Sequence, residues 1–375
     1  MLWDNIVGQS EIKSKLRQSI QDGRISHAQL FAGPEGSGTL ALALAYAQEV
    51  LCGSSENNCH IKVNNLQHPD LHFSFPFSAT DRVKKPVAKL LLNEWREFIQ
   101  QNIYGNVTDW MKHLGIEKKQ GAINVDEADE IVKTLALNSY EGGYKIMIIW
   151  MPELMNTASA NKLLKIIEEP PQKTLFLLVT EREDQVLPTI TSRCQLVKIP
   201  KIENQEIENF LIQKENYGAE KARHFAFLAN GNLREAFALI HNSNHIFDGY
   251  FVTWVRKAFM AAKTPVVLKD LINWSNEIST WSRDEQKNFL NYCSEVFRQA
   301  LLKSYQVNDL VNVQINVEGF KWEGFAPFIH GANIEEILEE INNASYHIER
   351  NGNAKFILLD LSIKLTRLLH RKAEV

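Results

Sequence analysis

Apolar positions along this chain recur in two rhythms, and the change between them divides it. Up to about residue 200, short apolar runs alternate with amphipathic stretches, whereas beyond it most apolar residues repeat at three and four positions. The first apolar run, Leu30-Phe31-Ala32, leads through a glycine-rich turn into strong helix formers over 39–50. Ahead of it, Ser10 is placed to cap a helix carrying Ile12, Leu16 and Ile20. Residues 52–68 read as polar and irregular. Ile123-Asn124-Val125 reads as a short strand, and Asp126 with Asp129 as the start of a helix whose buried stripe is Ala128, Ile131, Val132 and Leu135.

Residues 144–150 and 174–180 are near-continuous apolar runs, the signature of strands buried on both faces of a parallel sheet. Between them a helix from Asn156 presents Ala160, Leu163, Leu164 and Ile167, and Pro170-Pro171 ends it because neither proline donates a helical hydrogen bond. A last short strand follows at 196–199. Strands alternating with helices predict an α/β doubly wound parallel sheet.

Within this part, residues 73–121 are dense in aromatic side chains, with Val87, Leu91, Trp95 and Phe98 at helical spacing, and the stretch reads as core filling. Arg82, Lys84 and Lys85 before it read as a solvated turn. Past Pro200 the chain reads as a small helical domain over 201–243, with Gly231-Asn232-Leu233-Arg234 opening one of its helices, and an all-helical domain over 244–375. In the latter, Ile334, Ile337, Leu338, Ile341 and Ile348 mark one helix, and 354–370 forms another that is apolar on most sides.

Composition adds exclusions. With 45% hydrophobic and 23% charged residues in 375, the chain has the make-up of an ordinary globular protein of two or three domains. A net charge of −4 gives no global field toward nucleic acid, so DNA contact must come from local patches or partners. The first residues lack a basic segment followed by an apolar one, and no window suits a membrane span, which predicts a cytoplasmic protein without membrane contact. Cys52, Cys59, Cys194 and Cys293 are too scattered for a disulfide framework and are expected as reduced thiols.

The candidate chemistry begins at residues 33–40, Gly-Pro-Glu-Gly-Ser-Gly-Thr-Leu. A phosphate-binding loop has the form G-x-x-x-x-G-K-[ST], in which backbone N–H groups cradle phosphates, the lysine reaches the terminal ones and the hydroxyl holds magnesium. Gly33 and Gly38 keep the spacing, with Gly36 between them, but Thr39 stands for the lysine and Leu40 for the hydroxyl residue.

These features resemble the bacterial clamp-loader subunits of DNA polymerase III, and within them the delta-prime branch. The likeness is carried by Val7-Gly8-Gln9, Ser26-His27-Ala28-Gln29-Leu30-Phe31, the glycine loop and His68-Pro69-Asp70. It continues through Asn161-Lys162-Leu163-Leu164-Lys165, Glu168-Glu169-Pro170-Pro171, Leu187-Pro188-Thr189-Ile190 and Ser192-Arg193-Cys194-Gln195. It covers roughly the first 240 residues, with a looser match at residues 350–355.

The resemblance implies an AAA+ P-loop-type core over 1–200, a lid over 201–243 and a helical collar over 244–375. It implies membership of a ring with gamma/tau and delta types of subunit, which opens a sliding clamp and places it on primed DNA. In active relatives the end of the strand at 145–150 carries Asp-Glu for magnesium and water; here those positions are Trp150 and Met151. Neither side chain binds a hard cation or polarises water, so the chain is expected not to hydrolyse ATP. Glu153 is read as a surface acid beside Pro152.

In the Ser192-Arg193-Cys194 motif the resemblance makes Arg193 an arginine finger reaching a neighbour's nucleotide, while Arg234 matches a lid arginine and is expected as a relic or packing contact. Many relatives hold structural zinc with four cysteines before His-Pro-Asp. Here Cys52 and Cys59 remain of these, Lys62 and Asn65 stand at the other positions, and His60 and His68 complete no good tetrahedral set, so no metal is expected. The competing readings are an active gamma/tau-like ATPase, which Trp150 and Met151 oppose, and a stand-alone AAA+ nucleotide-binding regulator, expected to keep the phosphate lysine and lack Ser-Arg-Cys.

Overall fold

In the computed structural model, which describes residues 2–53, 58–79, 86–117, 119–241, 246–307, 311, 313, 315 and 317–372, the apolar runs become a parallel sheet. Its five strands are β1 (Ala28–Ala32), β2 (Leu71–Ser74), β3 (Lys145–Trp150), β4 (Thr174–Thr180) and β5 (Gln195–Lys198), in the order β2-β3-β4-β1-β5. Every pairing is parallel, with Leu30 opposite both Leu178 and Leu196 and Trp150 opposite Val179. β1, β3 and β4 are buried along their whole length, so helices must cover both faces and no polar alternation survives in their sequences.

Alternate side chains of these strands enter two different cores. Phe31, Ile146, Ile148, Trp150, Leu177 and Val179 pack on one side with α1 (Ser10–Gln21), α2 (Thr39–Cys52), α3 (Asn58–Asn64), α4 (Leu92–Gln101) and α5 (Val107–His113). Leu30, Met147, Ile149, Phe176 and Leu178 pack on the other with α6 (Val125–Ala136) and α7 (Thr157–Glu168). This is the AAA+ P-loop-type layering that the resemblance implies.

Several local expectations change. The second strand is Leu71–Ser74; Ile123 makes only an isolated bridge to Met155, because Asn124 already caps α6 by accepting from the Glu127 N–H at 2.9 Å. Ser10 is the first residue of α1, and Gln9, with φ of 60°, precedes it. Residues 52–68 contain α3. Val87 is extended, and a 3₁₀ turn over Ala88–Leu91 enters α4, so the helical spacing ran across two elements. Arg82, Lys84 and Lys85 lie outside the described residues. Cys52 and Cys59 are joined as a disulfide, correcting the expectation of four reduced thiols; their Cα atoms are 5.5 Å apart.

The aromatic stretch fills core space. Phe75, Trp95 and Trp110 are fully buried, with Phe75 stacked on Trp95 at 4.3 Å and Trp110 edge-on to both at 5.2 and 5.3 Å. The Trp110 indole N–H donates to the Pro76 carbonyl at 2.7 Å, so its burial leaves no orphan donor.

Among the described residues, the helices after α7 are α8 (Pro188–Thr191), α9 (Asn204–Gln213), α10 (Ala219–Ala229) and α11 (Leu233–His241). Then follow α12 to α17 (Ile246–Ala261, Leu268–Ile278, Arg283–Ser304, Trp322–Phe325, Gly331–Glu349 and Ala354–Leu368). Contacts group the chain into two units, Met1–Tyr217 with Ala229–Arg234, and Gly218–Leu228 with Glu235–Val375, so residues 201–243 fall in both. The second unit has its own core, where Trp254 stacks on Trp274 at 5.1 Å and its N–H donates to Ser362 Oγ at 2.9 Å. Leu358, Leu361, Leu365 and Leu368 of α17 enter that core, while Phe356 and Ile363 remain exposed. Among the described residues no helix is long and apolar enough to cross a membrane.

Candidate functional site

The glycine loop sits between the end of β1 and the start of α2, where a strand must turn sharply into a helix. Gly36 and Gly38 take φ of +69° and +88°, a region that side-chain-bearing residues avoid, and Gly38 is the N-cap of α2. The backbone therefore has the shape that cradles phosphate elsewhere. Thr39 and Leu40 are both buried and take the places of the lysine and the magnesium hydroxyl.

Side chains of this chain close over the loop. A Cβ on Gly36 would lie 1.8 Å from Asn232 Oδ1, and one on Gly38 would lie 3.0 Å from the Tyr104 ring. Tyr104 is buried, its hydroxyl accepting from the Val7 N–H at 2.9 Å, and burial pushes its pKa to about 12. The Leu233 N–H donates to the Gly36 carbonyl at 3.1 Å. Gln9 Nε2 donates to the carbonyls of Ser37 and Pro200 at 3.2 and 2.7 Å.

Arg234 lies beside the same loop, and its guanidinium is engaged by two carboxylates. Nε and Nη2 donate to the two oxygens of Asp109 at 2.5 and 2.9 Å, and Nη1 donates to Glu35 Oε1 at 3.0 Å. Its side chain is only 12% exposed, so this pairing is far less screened than a surface salt bridge. Burial works to raise the Asp109 pKa, but the hydrogen bond and charge of Arg234 prevail and hold it below the usual range. Burial raises Glu181 well above the ordinary carboxylate value, with the charges of Glu35 and Glu153 adding to the shift.

Glu153 is not the surface acid read from its sequence neighbourhood. Its Oε2 is buried without a hydrogen-bond partner, and burial raises its pKa against hydrogen bonds that involve its own backbone, Thr180 and Glu181. Trp150 is 1% exposed, its ring 5.1 Å from Trp95 and 6.2 Å from Phe98. Met151 turns the chain at φ of 57°, with its N–H donating to the Val179 carbonyl at 2.8 Å. Around the loop, then, Asn232 and Tyr104 lie against Gly36 and Gly38, two carboxylates hold the neighbouring arginine, and an indole and a thioether follow one another at the end of β3.

Arg193 follows α8 on the turn into β5. Its Nε pairs with Glu168 Oε2 at 2.9 Å and its Nη1 donates to the Thr189 carbonyl at 2.9 Å, which leaves Nη2 without a partner among the described residues. Ser192 Oγ donates to the same carbonyl at 3.3 Å, and burial pushes the Cys194 thiol up to about 12, which makes it a packing group and a poor nucleophile.

Beside α3, donor atoms of Cys59, His68 and Glu141 lie within 4.8 Å of one another. They do not fit zinc as arranged. The Cys52–Cys59 disulfide offers no thiolate, and His68 Nδ1 accepts from the Asp70 N–H at 3.1 Å, so its Nε2 carries the proton that faces Glu141 at 3.2 Å. Glu141 is also paired with Lys62 at 2.7 Å.

Tyr104 and Asp109 were missed from sequence as parts of this site, and Glu35 and Asn232 were seen there only as members of their motifs. The pattern of Asn106 and Asp109 announces a capped helix, and both reciprocal capping bonds form, but nothing local connects Asp109 to an arginine 125 residues away.

Comparison with known proteins agrees with the motifs. The family described as "DNA polymerase III, delta subunit" matches residues 8–203, just over half of the chain. DNA polymerase III subunit delta' of Bacillus subtilis is 29% identical over 241 residues, covering 62% of this chain and 60% of that one. DNA polymerase III subunit gamma of Buchnera aphidicola subsp. Schizaphis graminum is 26% identical over 246 residues, covering 64% and 58%. The chain thus spans about three-fifths of the length of these relatives. A DNA polymerase III gamma subunit-related protein from Thermotoga maritima is 15% identical, with 96% of this chain and 99% of that one covered at a TM-score of 0.33. With more than half its length matched in sequence and motif order, the chain belongs to the DNA polymerase III delta-subunit family of clamp-loader proteins.

Proposed function

We propose that this chain is a non-catalytic, delta-prime-like subunit of the DNA polymerase III clamp loader, which helps place the sliding clamp on primed DNA and lends Arg193 to a neighbour's ATP. The observation that carries this reading is the contrast between two arginines. Arg234, beside the chain's own glycine loop, is engaged by Asp109 and Glu35, whereas Arg193 keeps Nη2 available for a partner's phosphate. An arginine finger in trans stabilises charge developing on a phosphoryl group that another subunit binds.

In this reading residues 1–200 are the core, 201–243 the lid and 244–375 the collar that meets gamma/tau and delta types of subunit in the cytoplasm. The sliding clamp and primer-template DNA are reached through the complex, and the chain uses neither zinc nor ATP of its own. Gamma subunits are nearly as similar as delta', so activity decides between the two. The purified chain should show no ATP hydrolysis above a buffer control and should co-purify with gamma/tau-type and delta-type subunits. Turnover by the chain alone would establish the gamma-like alternative, and failure to co-purify would favour a stand-alone regulator.

A further inference from the structure

The aromatic stretch has a second task. Trp110 anchors α5 in the core through Phe75, Trp95 and the Pro76 carbonyl, and the residue before it, Asp109, meets Arg234. Asp109 is itself fixed: its N–H donates to Asn106 Oδ1 at 3.0 Å, and its Oδ2 accepts from the Asn106 N–H at 3.2 Å and from Asn102 Nδ2 at 3.4 Å. A carboxylate held this way presents both oxygens to a guanidinium in the bidentate geometry that a phosphate would otherwise use.

We propose that Asp109, with Glu35, is a built-in counter-anion that takes the place of nucleotide phosphate at Arg234 and holds the segment Ala229–Arg234 over the glycine loop without any ligand. Three further contacts define the held state. The Leu233 N–H bonds the Gly36 carbonyl, Asn232 lies against Gly36, and the Ile202 N–H donates to the Gly231 carbonyl at 3.2 Å. Carboxylates encoded in residues 35 and 109 supply the negative charge permanently. The ligand class excluded is a polyphosphate, and removing the internal carboxylate should admit one.

The inference rests on reading the glycine loop as a disused phosphate cradle. Its test uses the isolated full chain, so the outcome is separate from whether Arg193 serves a neighbour, which ATPase of the assembled ring decides. Amide hydrogen exchange is followed at 33–38 and 229–234 in the wild type and in Asp109→Asn, which keeps the capping shape and removes the charge. The variant should exchange roughly tenfold faster in both segments. Inorganic tripolyphosphate should restore its protection while leaving the wild type unchanged.

Unchanged exchange in Asp109→Asn, or no response of the variant to tripolyphosphate, would overturn the proposal. So would equal protection of both proteins by that anion. A second measurement guards against a general folding defect: the drop in melting temperature for the double variant Asp109→Ala/Arg234→Ala should be clearly less than the sum of the single drops. Simple additivity would show that the pair does not act as a unit.

Discussion

Trp150 shows how the end of β3 is filled: its indole packs against Trp95 and Phe98 at the end of a fully buried strand. Trp150→Asp would therefore not rebuild a metal site. It would remove the aromatic packing and leave a carboxylate among apolar rings. The expected outcome is a loss of about 3–5 kcal/mol in urea unfolding, with no magnesium-dependent ATPase gained. Trp150→Phe should retain most of the stability, because a smaller ring still fills part of the space. A Trp150→Asp chain that folded with wild-type stability and hydrolysed ATP would refute the view that the whole cluster has been repacked around the indole.

At the scale of elements, β2 carries a titrating device at the sheet edge. Burial first, and then the charge of Lys145, lower the His72 pKa from 6.5 to about 4; Asp70 opposes the shift and His68 adds to it. The unfolded chain takes up a proton near 6.5 while the folded chain resists it down to about 4. The neutral histidine thus favours the fold above 6.5, and this contribution is lost as pH falls between the two values. At roughly 1.4 kcal/mol per unit, the difference reaches about 3 kcal/mol by pH 4. Thermal melts of wild type and His72→Gln between pH 7 and 4 should converge as pH falls, with the wild type losing more stability; parallel curves would remove His72 as the cause. β2 is also where sequence reading fell short. β3 and β4 were legible because burial on both faces leaves uninterrupted apolar runs, and α7 because Asn156 and the proline pair punctuate it. β2 is only Leu-His-Phe-Ser, and its half-buried histidine breaks any run. The latch was illegible for a different reason: Asp109 and Arg234 are brought together by folding alone, whereas the glycine loop and Ser-Arg-Cys are continuous in sequence.

For the whole molecule, a net charge of −4 gives no global field toward nucleic acid, which puts the weight on where individual charges are placed. The two arginines place theirs oppositely, and a pair of variants separates them. Arg193 makes one exposed ion pair and one carbonyl contact, with its side chain 31% exposed, so Arg193→Ala should leave the melting temperature of the chain nearly unchanged. Under the proposed function its effect belongs to the assembled loader, where clamp-stimulated ATPase should fall severalfold through loss of a neighbour's trans donor. Arg234→Ala leaves Asp109 and Glu35 without the cation that holds them, beside the already crowded Glu181, and should lower the melting temperature by several degrees. Assayed well below that temperature and at equal ring occupancy, Arg234→Ala loaders should hydrolyse ATP at close to the wild-type rate. If both variants lowered ATPase equally with equal loss of stability, the arginines would share one structural role and the division between a donated and an internally engaged guanidinium would fail. If Arg193→Ala alone lowers ATPase in an intact ring, the chain contributes to catalysis through a charge it exposes, while Asp109 and Glu35 keep its own arginine out of that chemistry.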